Sequence, residues 1–329
     1  MQTILPVGIA SVGAFAPPDL MSNFDLEKIV DTSDEWIRTR SGISTRHIAN
    51  AGTATSDIAL PAARLAMERA EITPRELDLI VVATVTPDQP LPSTSCFLQY
   101  KLDAMNAVAF DVMAACTGFV YALNVASAMV SSRQYRNALV IGADTLSKVT
   151  DYTDRSTCVL LGDGAGAVVL KPTEEGHGFL SFYLRADGGG ADVLYIPSGG
   201  SLRPTSADTV AAREHYIRMN GNEVFKFAVR VIEEAILAAL ERAGLTIADI
   251  DLIVPHQANI RIIESASKRL GIPSEKWVNN IRDFGNTSAA SIPMAMNEAY
   301  QAGSIHKGDV IVIVGFGGGL TWGASVMRW

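Results

Sequence analysis

The chain has 329 residues, 48% hydrophobic and 19% charged, enough for a large core in one thick domain or two fused ones. Its formal charge of −8, from 27 basic and 35 acidic residues, argues against a nucleic-acid partner. Three cysteines without regular spacing argue against a disulfide framework or a metal site and suggest a reducing, cytoplasmic setting; the opening residues predict no signal peptide, and no apolar run approaches the roughly 20 residues of a membrane span.

The apolar, glycine-punctuated run Ile4 to Gly13 reads as a buried first strand. Asn23 to Arg40 reads as short helices, the first capped by Asn23 and the second by Ser33 or Asp34. Ser56 is placed to cap a helix through Ile58, Ala62, Ala66 and Ala70. Leu77 to Val85, Asn137 to Ala143 and Gly162 to Leu170 are nearly unbroken apolar runs, suited to strands covered on both faces. Gly162-Asp163-Gly164-Ala165-Gly166 leads into a strand with no helix after it, so it predicts a tight turn of small residues and not a nucleotide loop.

Between these runs lies a strand-like segment, Ala107 to Val112, and then Ala114-Ala115-Cys116-Thr117-Gly118-Phe119. A small-residue helix follows, roughly Thr117 to Val130. Cys116 therefore sits at a strand-to-helix junction, beside unpaired N–H groups and the positive end of a helix dipole, which favour the nucleophilic thiolate. Cys96 and Cys158 have no such setting and read as core. Residues 172–215 are rich in Gly, Ser, Pro and Asp and read as a connection between an N-terminal half, 1–171, and a C-terminal half, 216–329. A helix from Asn222 to Arg242 then places Phe225, Val229, Ile232, Ile236 and Leu240 on one core-facing stripe.

The halves are related by an internal repeat. Residues 66–81, AMERAEITPRELDLIV, align without a gap to 239–254, ALERAGLTIADIDLIV, at an offset of 173. The strand at 137–141 echoes 309–313 at nearly the same offset. This period is too long for a solenoid and indicates two copies of one βα-rich unit. Shifted by the offset, the Cys116 loop falls at Ala289, next to Gly285-Asn286-Thr287-Ser288. The loop after Val81 falls on Pro255-His256-Gln257-Ala258-Asn259. The repeat alone thus predicts that Cys116, His256 and Asn286 converge in one pocket between the halves.

A cysteine, an imidazole and an amide can act as nucleophile, base and orienter, as in papain-like hydrolases. They can also take an acyl group as a thioester and stabilise an enolate with two hydrogen-bond donors. The glycines Gly317-Gly318-Gly319, following a strand, can bring a backbone N–H close to the sulfur for an oxyanion hole.

The chain resembles the β-ketoacyl-acyl-carrier-protein synthase III family of the thiolase superfamily, nearly end to end. The resemblance is carried by Thr32-Ser33-Asp34-Glu35-Trp36-Ile37, the Cys116 motif, Gly162–Gly166, Gly221-Asn222-Glu223-Val224-Phe225-Lys226, Pro255–Asn259, Gly285-Asn286-Thr287-Ser288-Ala289-Ala290-Ser291-Ile292-Pro293 and Gly317-Gly318-Gly319-Leu320-Thr321-Trp322-Gly323. It implies a five-layered α-β-α-β-α fold of two duplicated halves with mixed sheets, a homodimer, and initiation of type II fatty-acid synthesis. An acyl-CoA, typically acetyl-CoA, would acylate Cys116, and malonyl-acyl carrier protein would be decarboxylated and condensed with it. No permanently bound cofactor is implied, since acyl-CoA is a substrate.

By the same resemblance His256 and Asn286 form the decarboxylation pair, and the Gly318 N–H joins that of Cys116 as oxyanion donor. Thr32, Trp36, Arg40, Arg155, Asn222, Phe225, Ala258 and Asn259 would contact CoA, with Trp36 and Arg155 sandwiching the adenine. Leu91 would wall the primer pocket of the partner subunit. Carrier-protein contacts are expected from Gln257 and from a basic cluster: Lys226 with Arg230 one turn on, then Arg261, Lys268 and Arg269. An acidic, phosphopantetheine-bearing partner would seek such a patch. A relative using the same Cys-His-Asn set on another acceptor, as in secondary metabolism, is the alternative.

Overall fold

The computed structural model describes residues 5–329, so the Ile4 end of the expected first strand lies outside them. Two sheets form the frame. In chain order their strands are β1 (Val7–Phe15), β2 (Leu79–Ala83), β3 (Val108–Val112), β4 (Ala138–Thr145), β5 (Asp163–Pro172), β6 (Gly178–Ala186), β7 (Leu252–Pro255), β8 (Val310–Gly317) and β9 (Thr321–Arg328). The first sheet runs β1-β5-β4-β2-β3 and the second β6-β9-β8-β7. In the first, β2 is parallel to β4, β4 antiparallel to β5, and β5 antiparallel to β1. In the second, β7, β8, β9 and β6 follow the same sequence of senses. The repeat is thus a repeat of sheet topology, with β3 added at one edge.

Seven helices complete the layers used below: α1 (Asp34–Ser41), α2 (Thr55–Arg69), α3 (Thr94–Leu102), α4 (Gly118–Ser131), α5 (Gly221–Ala243), α6 (Ile260–Leu270) and α7 (Ser291–Gln301). Strand alternation sorts the core. Leu79, Val81 and Ala83 point into a central layer made by α4 and α7, where Val254, Ile311 and Ile313 arrive from the other sheet. Ile80 and Val82 point the other way, onto α2 and α3. Ile253, Val312 and Val314 likewise pack outward on α5 and α6. The result is five layers, α-β-α-β-α. Both faces of each sheet are covered, which is why the strands read as continuous apolar runs.

Several local expectations are corrected. The first short helix is capped by Ser22, not Asn23; Asn23 is buried and donates to Asp34 Oδ1 at 2.9 Å and the Ile43 carbonyl at 2.8 Å. Ser33 does cap α1, accepting from the Trp36 N–H at 3.1 Å. α2 starts one residue before Ser56, because Asp57 reaches back to the Ala54 N–H at 2.9 Å. The glycines at 164 and 166 lie in β5 and make no turn. Their smallness admits α7, since a Cβ on Gly166 would lie 2.7 Å from the Pro293 ring. The segment 172–215 contains β6, an integral strand of the second sheet, so the connection is shorter than expected. On α5 the buried stripe includes Phe227, Ala228, Val231 and Ala235 with Ile232, Ile236 and Leu240, while Phe225 and Val229 are only half-buried. Cys158 is buried but Cys96 is exposed.

Candidate active site

The site grows from two matching elbows. After β3 the chain turns through a short 3-10 turn, Ala115–Thr117, into α4, with Ala115 in the left-handed region at φ 47°. Offset by 173, the 3-10 turn Ser288–Ala290 enters α7, and Ser288 has φ 52°. Such angles strain a residue that carries a Cβ. The repeat therefore extends to the backbone of the Cys116 turn, where Cys116 corresponds to Ala289 and Gly118 to Ser291. Each elbow rests on a glycine of the opposite sheet. A Cβ on Gly142 would lie 2.1 Å from the Ala289 carbonyl oxygen, and one on Gly317 would lie 2.7 Å from the Cys116 nitrogen.

Cys116, His256 and Asn286 line a single cavity of about 310 Å³. His256 follows β7, its N–H bonded to the Val314 carbonyl at 2.8 Å. Its Nδ1 lies 2.7 Å from the Ser291 hydroxyl, and the Phe316 ring stands edge-on with centroids 5.1 Å apart. Asn286 is held through its backbone, by Leu160 at 2.8 Å and Gly162 at 2.9 Å. Its Oδ1 accepts from the Ser288 N–H at 2.9 Å, which leaves the NH2 of the amide to be offered as a donor.

Burial dominates the electrostatics. It pushes the Cys116 thiol up to about 12, helped by the charge of the buried Asp144 carboxyl. Burial thus opposes the helix terminus that favours the thiolate. A helix terminus contributes about 0.3–1 kcal/mol, less than the several kcal/mol it costs to hold a bare charge out of water. Burial likewise pushes His256 down to about 3, so its imidazole is neutral at pH 7. The site presents a thiol, a neutral imidazole and an amide.

Trp36, Arg40, Asn222, Phe225, Ala258 and Asn259 also line the cavity, as does Arg261. Arg155 does not line it, but its guanidinium lies 4.9 Å from the ring centroid of Trp36, with that of Arg40 at 5.2 Å. The Asn259 amide is structural in part: it caps α6 at the Arg261 N–H and donates to the Arg40 carbonyl, both at 2.9 Å. Thr32 does not line the cavity, and its buried hydroxyl has no partner among the described residues. Gly317 lines the cavity beside Cys116; the adjacent Gly318 N–H finds no acceptor among the described residues. Leu91 is 83% exposed and lies outside the cavity of its own chain.

The expected carrier-protein contacts divide. Gln257 is fully buried, its amide donating to the Pro255 and Val278 carbonyls at 2.9 and 3.1 Å and accepting from the Asn280 N–H at 3.2 Å. It braces the His256 loop and cannot meet a partner. Lys226 is paired with Glu223 at 2.9 Å and Arg269 with Glu233 at 2.5 Å. Arg261 leans over the Phe225 ring at 5.7 Å. Among the described residues, Arg230 and Lys268 have no carboxylate within ion-pair distance. Ser291, which touches His256, enters the sequence reading only as part of the Gly285–Pro293 stretch and without a role of its own; the repeat pairs it with Gly118.

The fold and the site define a thiolase-like condensing enzyme. The description 3-oxoacyl-[acyl-carrier-protein (ACP)] synthase III matches residues 110–188, and that of its C-terminal part matches 240–329. A β-ketoacyl-[acyl-carrier-protein] synthase III of Symbiobacterium thermophilum is 54% identical over 326 residues, 99% of each chain. The crystal structure of 3-oxoacyl-[acyl-carrier-protein] synthase III from Aquifex aeolicus superposes with a TM-score of 0.90 at 46% identity, covering 98% of this chain and 100% of that one. A priming β-ketosynthase from the R1128 polyketide pathway superposes with a TM-score of 0.92 at 34% identity, covering 100% and 97%. The chain belongs to the β-ketoacyl-acyl-carrier-protein synthase III family, and it is an acyltransferase of the condensing type. Among the described residues, no helix is long and apolar enough to cross a membrane.

Proposed function

We propose that the protein condenses an acyl-CoA primer, typically acetyl-CoA, with malonyl-acyl carrier protein, giving a 3-oxoacyl carrier protein and initiating type II fatty-acid synthesis. The observation that carries the reading is the meeting of Cys116, His256 and Asn286 in one cavity, with the first a thiol and the second neutral. In the first half-reaction the Cys116 sulfur attacks the acyl-CoA carbonyl, and the Cys116 proton leaves with CoA as its thiol. The site is neutral before and after this thiol-to-thiol transfer, and negative charge is confined to the transient tetrahedral intermediate. The N–H groups of Cys116 and Gly318 hold the tetrahedral oxyanion. Trp36 and Arg155 flank the adenine, which requires the guanidinium to move outward from the indole face it now covers.

In the second half-reaction the thioester carbonyl of malonyl carrier protein accepts hydrogen bonds from His256 and Asn286. Carbon dioxide leaves, and the electron pair of the broken bond enters an enolate that both donors stabilise. The enolate carbon attacks the acyl-Cys116 carbonyl. Cys116 departs as a thiolate and takes a proton from water, which restores the thiol. A charged His256 would have to be created against burial, so donation from neutral groups suits this site better than general-base hydrolysis does. The scheme needs no resident cofactor, and its CoA and carrier-protein substrates support a cytoplasmic reading.

The open edge of β3, with Val108, Met113 and Leu91 exposed beside it, is read as the homodimer face, where Leu91 would reach the partner's cavity. Lys268, which has no carboxylate partner among the described residues, and the cavity-lining Arg261 are read as the carrier-protein docking points. The test is product formation. Acetyl-CoA and malonyl-acyl carrier protein should give 3-oxobutyryl carrier protein, and a panel of longer or branched acyl-CoAs defines the primer. The similarity to a polyketide priming synthase favours one second reading, a different carrier protein as acceptor. Turnover only with such a carrier would replace the main reading.

A further inference from the structure

The mechanism uses His256 as a donor but leaves open what makes its cavity-facing nitrogen carry the proton. The Ser291 hydroxyl lies 2.7 Å from His256 Nδ1 and 3.3 Å from the Gln257 backbone nitrogen. Both side chains are 2% exposed, so every proton there needs an acceptor within the protein. The Gln257 N–H can only donate, so the serine oxygen accepts from it. If Nδ1–H also donated to that oxygen, the hydroxyl proton would be left without an acceptor, because the Ser291 Oγ has no other partner among the described residues. The remaining arrangement satisfies all three groups: Gln257 N–H to Oγ, and Oγ–H to Nδ1.

We infer that Ser291 is a positioning residue that fixes His256 as its Nε2–H tautomer, presenting a neutral donor to the cavity where the thioester carbonyl develops charge. The inference rests on the proposed decarboxylation role of His256. The repeat shows how the contact arose. At the offset of 173, His256 corresponds to Ala83 and Ser291 to Gly118. In the first copy those two positions also touch: a Cβ on Gly118 would lie 3.2 Å from the Ala83 Cβ. The same helix-start-to-strand-end contact is inert in one copy and a hydroxyl–imidazole bond in the other. Burial complements the bond. It keeps the ring neutral, while Ser291 decides which nitrogen holds the single proton.

The test uses the whole protein labelled with ¹⁵N-histidine. In the unaltered chain the His256 signals are expected to show a protonated Nε2 and an unprotonated Nδ1 at pH 7; a proton on Nδ1 would overturn the inference. Ser291→Ala is expected to release the tautomer and to slow malonyl decarboxylation about tenfold more than Cys116 acylation, the scale of one buried hydrogen bond. An Ser291→Ala protein that keeps the Nε2–H signal and the full decarboxylation rate would also overturn it. If that variant does not fold, the nitrogen measurement on the unaltered chain decides alone. Loss of decarboxylation in His256→Ala tests the proposed function separately: its failure would remove that role while leaving the tautomer result standing.

Discussion

Gly142→Ala probes the seam on which the site depends. Gly142 lies in β4 of the first sheet, and the position of its missing Cβ is 2.1 Å from the Ala289 carbonyl oxygen and 2.6 Å from the Ala289 carbonyl carbon. A carbon and an oxygen need more than about 3 Å, so the second elbow must retreat by about 1 Å or the strand must bend. Both partners are backbone, and neither can yield by rotating a side chain. Overpacking costs about 1–3 kcal/mol where side chains can adjust, so the expected loss is about 3 kcal/mol or more. The displaced turn joins Asn286 to Ser291, and a misplacement of about 1 Å at a reacting centre can cost about 100-fold in rate. Urea denaturation and condensation kinetics of Gly142→Ala would be compared with Gly200→Ala, where a Cβ meets nothing within 4 Å. The control should stay within about 0.5 kcal/mol of the parent. A Gly142→Ala protein as stable and as fast as the parent would refute the close-seam reasoning.

Other outcomes follow from the same geometry. Because burial holds Cys116 near 12, its alkylation by iodoacetamide should accelerate about tenfold per pH unit from pH 7 to 10; a plateau below pH 9 would reveal a thiolate. His256 titrates near 3 when folded and near 6.5 when unfolded, so its share of stability is present above pH 6.5 and lost as pH falls toward 3. The parent should therefore lose about 2 kcal/mol more than His256→Asn between pH 6.5 and 5, and identical denaturation profiles would contradict the buried neutral ring. Lys268→Glu should raise the KM for malonyl-acyl carrier protein about fivefold at low ionic strength and leave that for acetyl-CoA alone, whereas no change for the carrier protein would remove this docking point. Arg261 is the poorer probe, because it also lines the cavity.

The duplication was legible because it rests on local chemistry that both copies preserve. Thr73 and Thr246 each open a short turn closed by a carboxylate three residues on, Glu76 and Asp249, each at 2.7 Å from the threonine N–H. The strands that follow each turn are both buried, so the apolar runs aligned and the pocket between the halves could be placed before any coordinate was known. What sequence missed depends on packing across the seam. The glycines of β5 looked like a turn because a close approach by α7 and a tight bend ask for the same small residue. Gln257 looked available to a partner because its burial follows from Val278 and Asn280, some 20 residues away in sequence. The burial that opposes a Cys116 thiolate is not legible in sequence, because a helix terminus is visible there whereas the layers that exclude water from the sulfur are not.

The two half-reactions divide by residue, and mass spectrometry of the intact and the digested protein reads both. On incubation with acetyl-CoA the parent, His256→Asn and Asn286→Ala should each gain one acetyl group, on the peptide containing Cys116, and Cys116→Ser should gain none. On adding malonyl-acyl carrier protein, the parent alone should lose that mass as 3-oxobutyryl carrier protein appears. An acetyl group on another residue, or rapid condensation by His256→Asn or Asn286→Ala, would contradict the account.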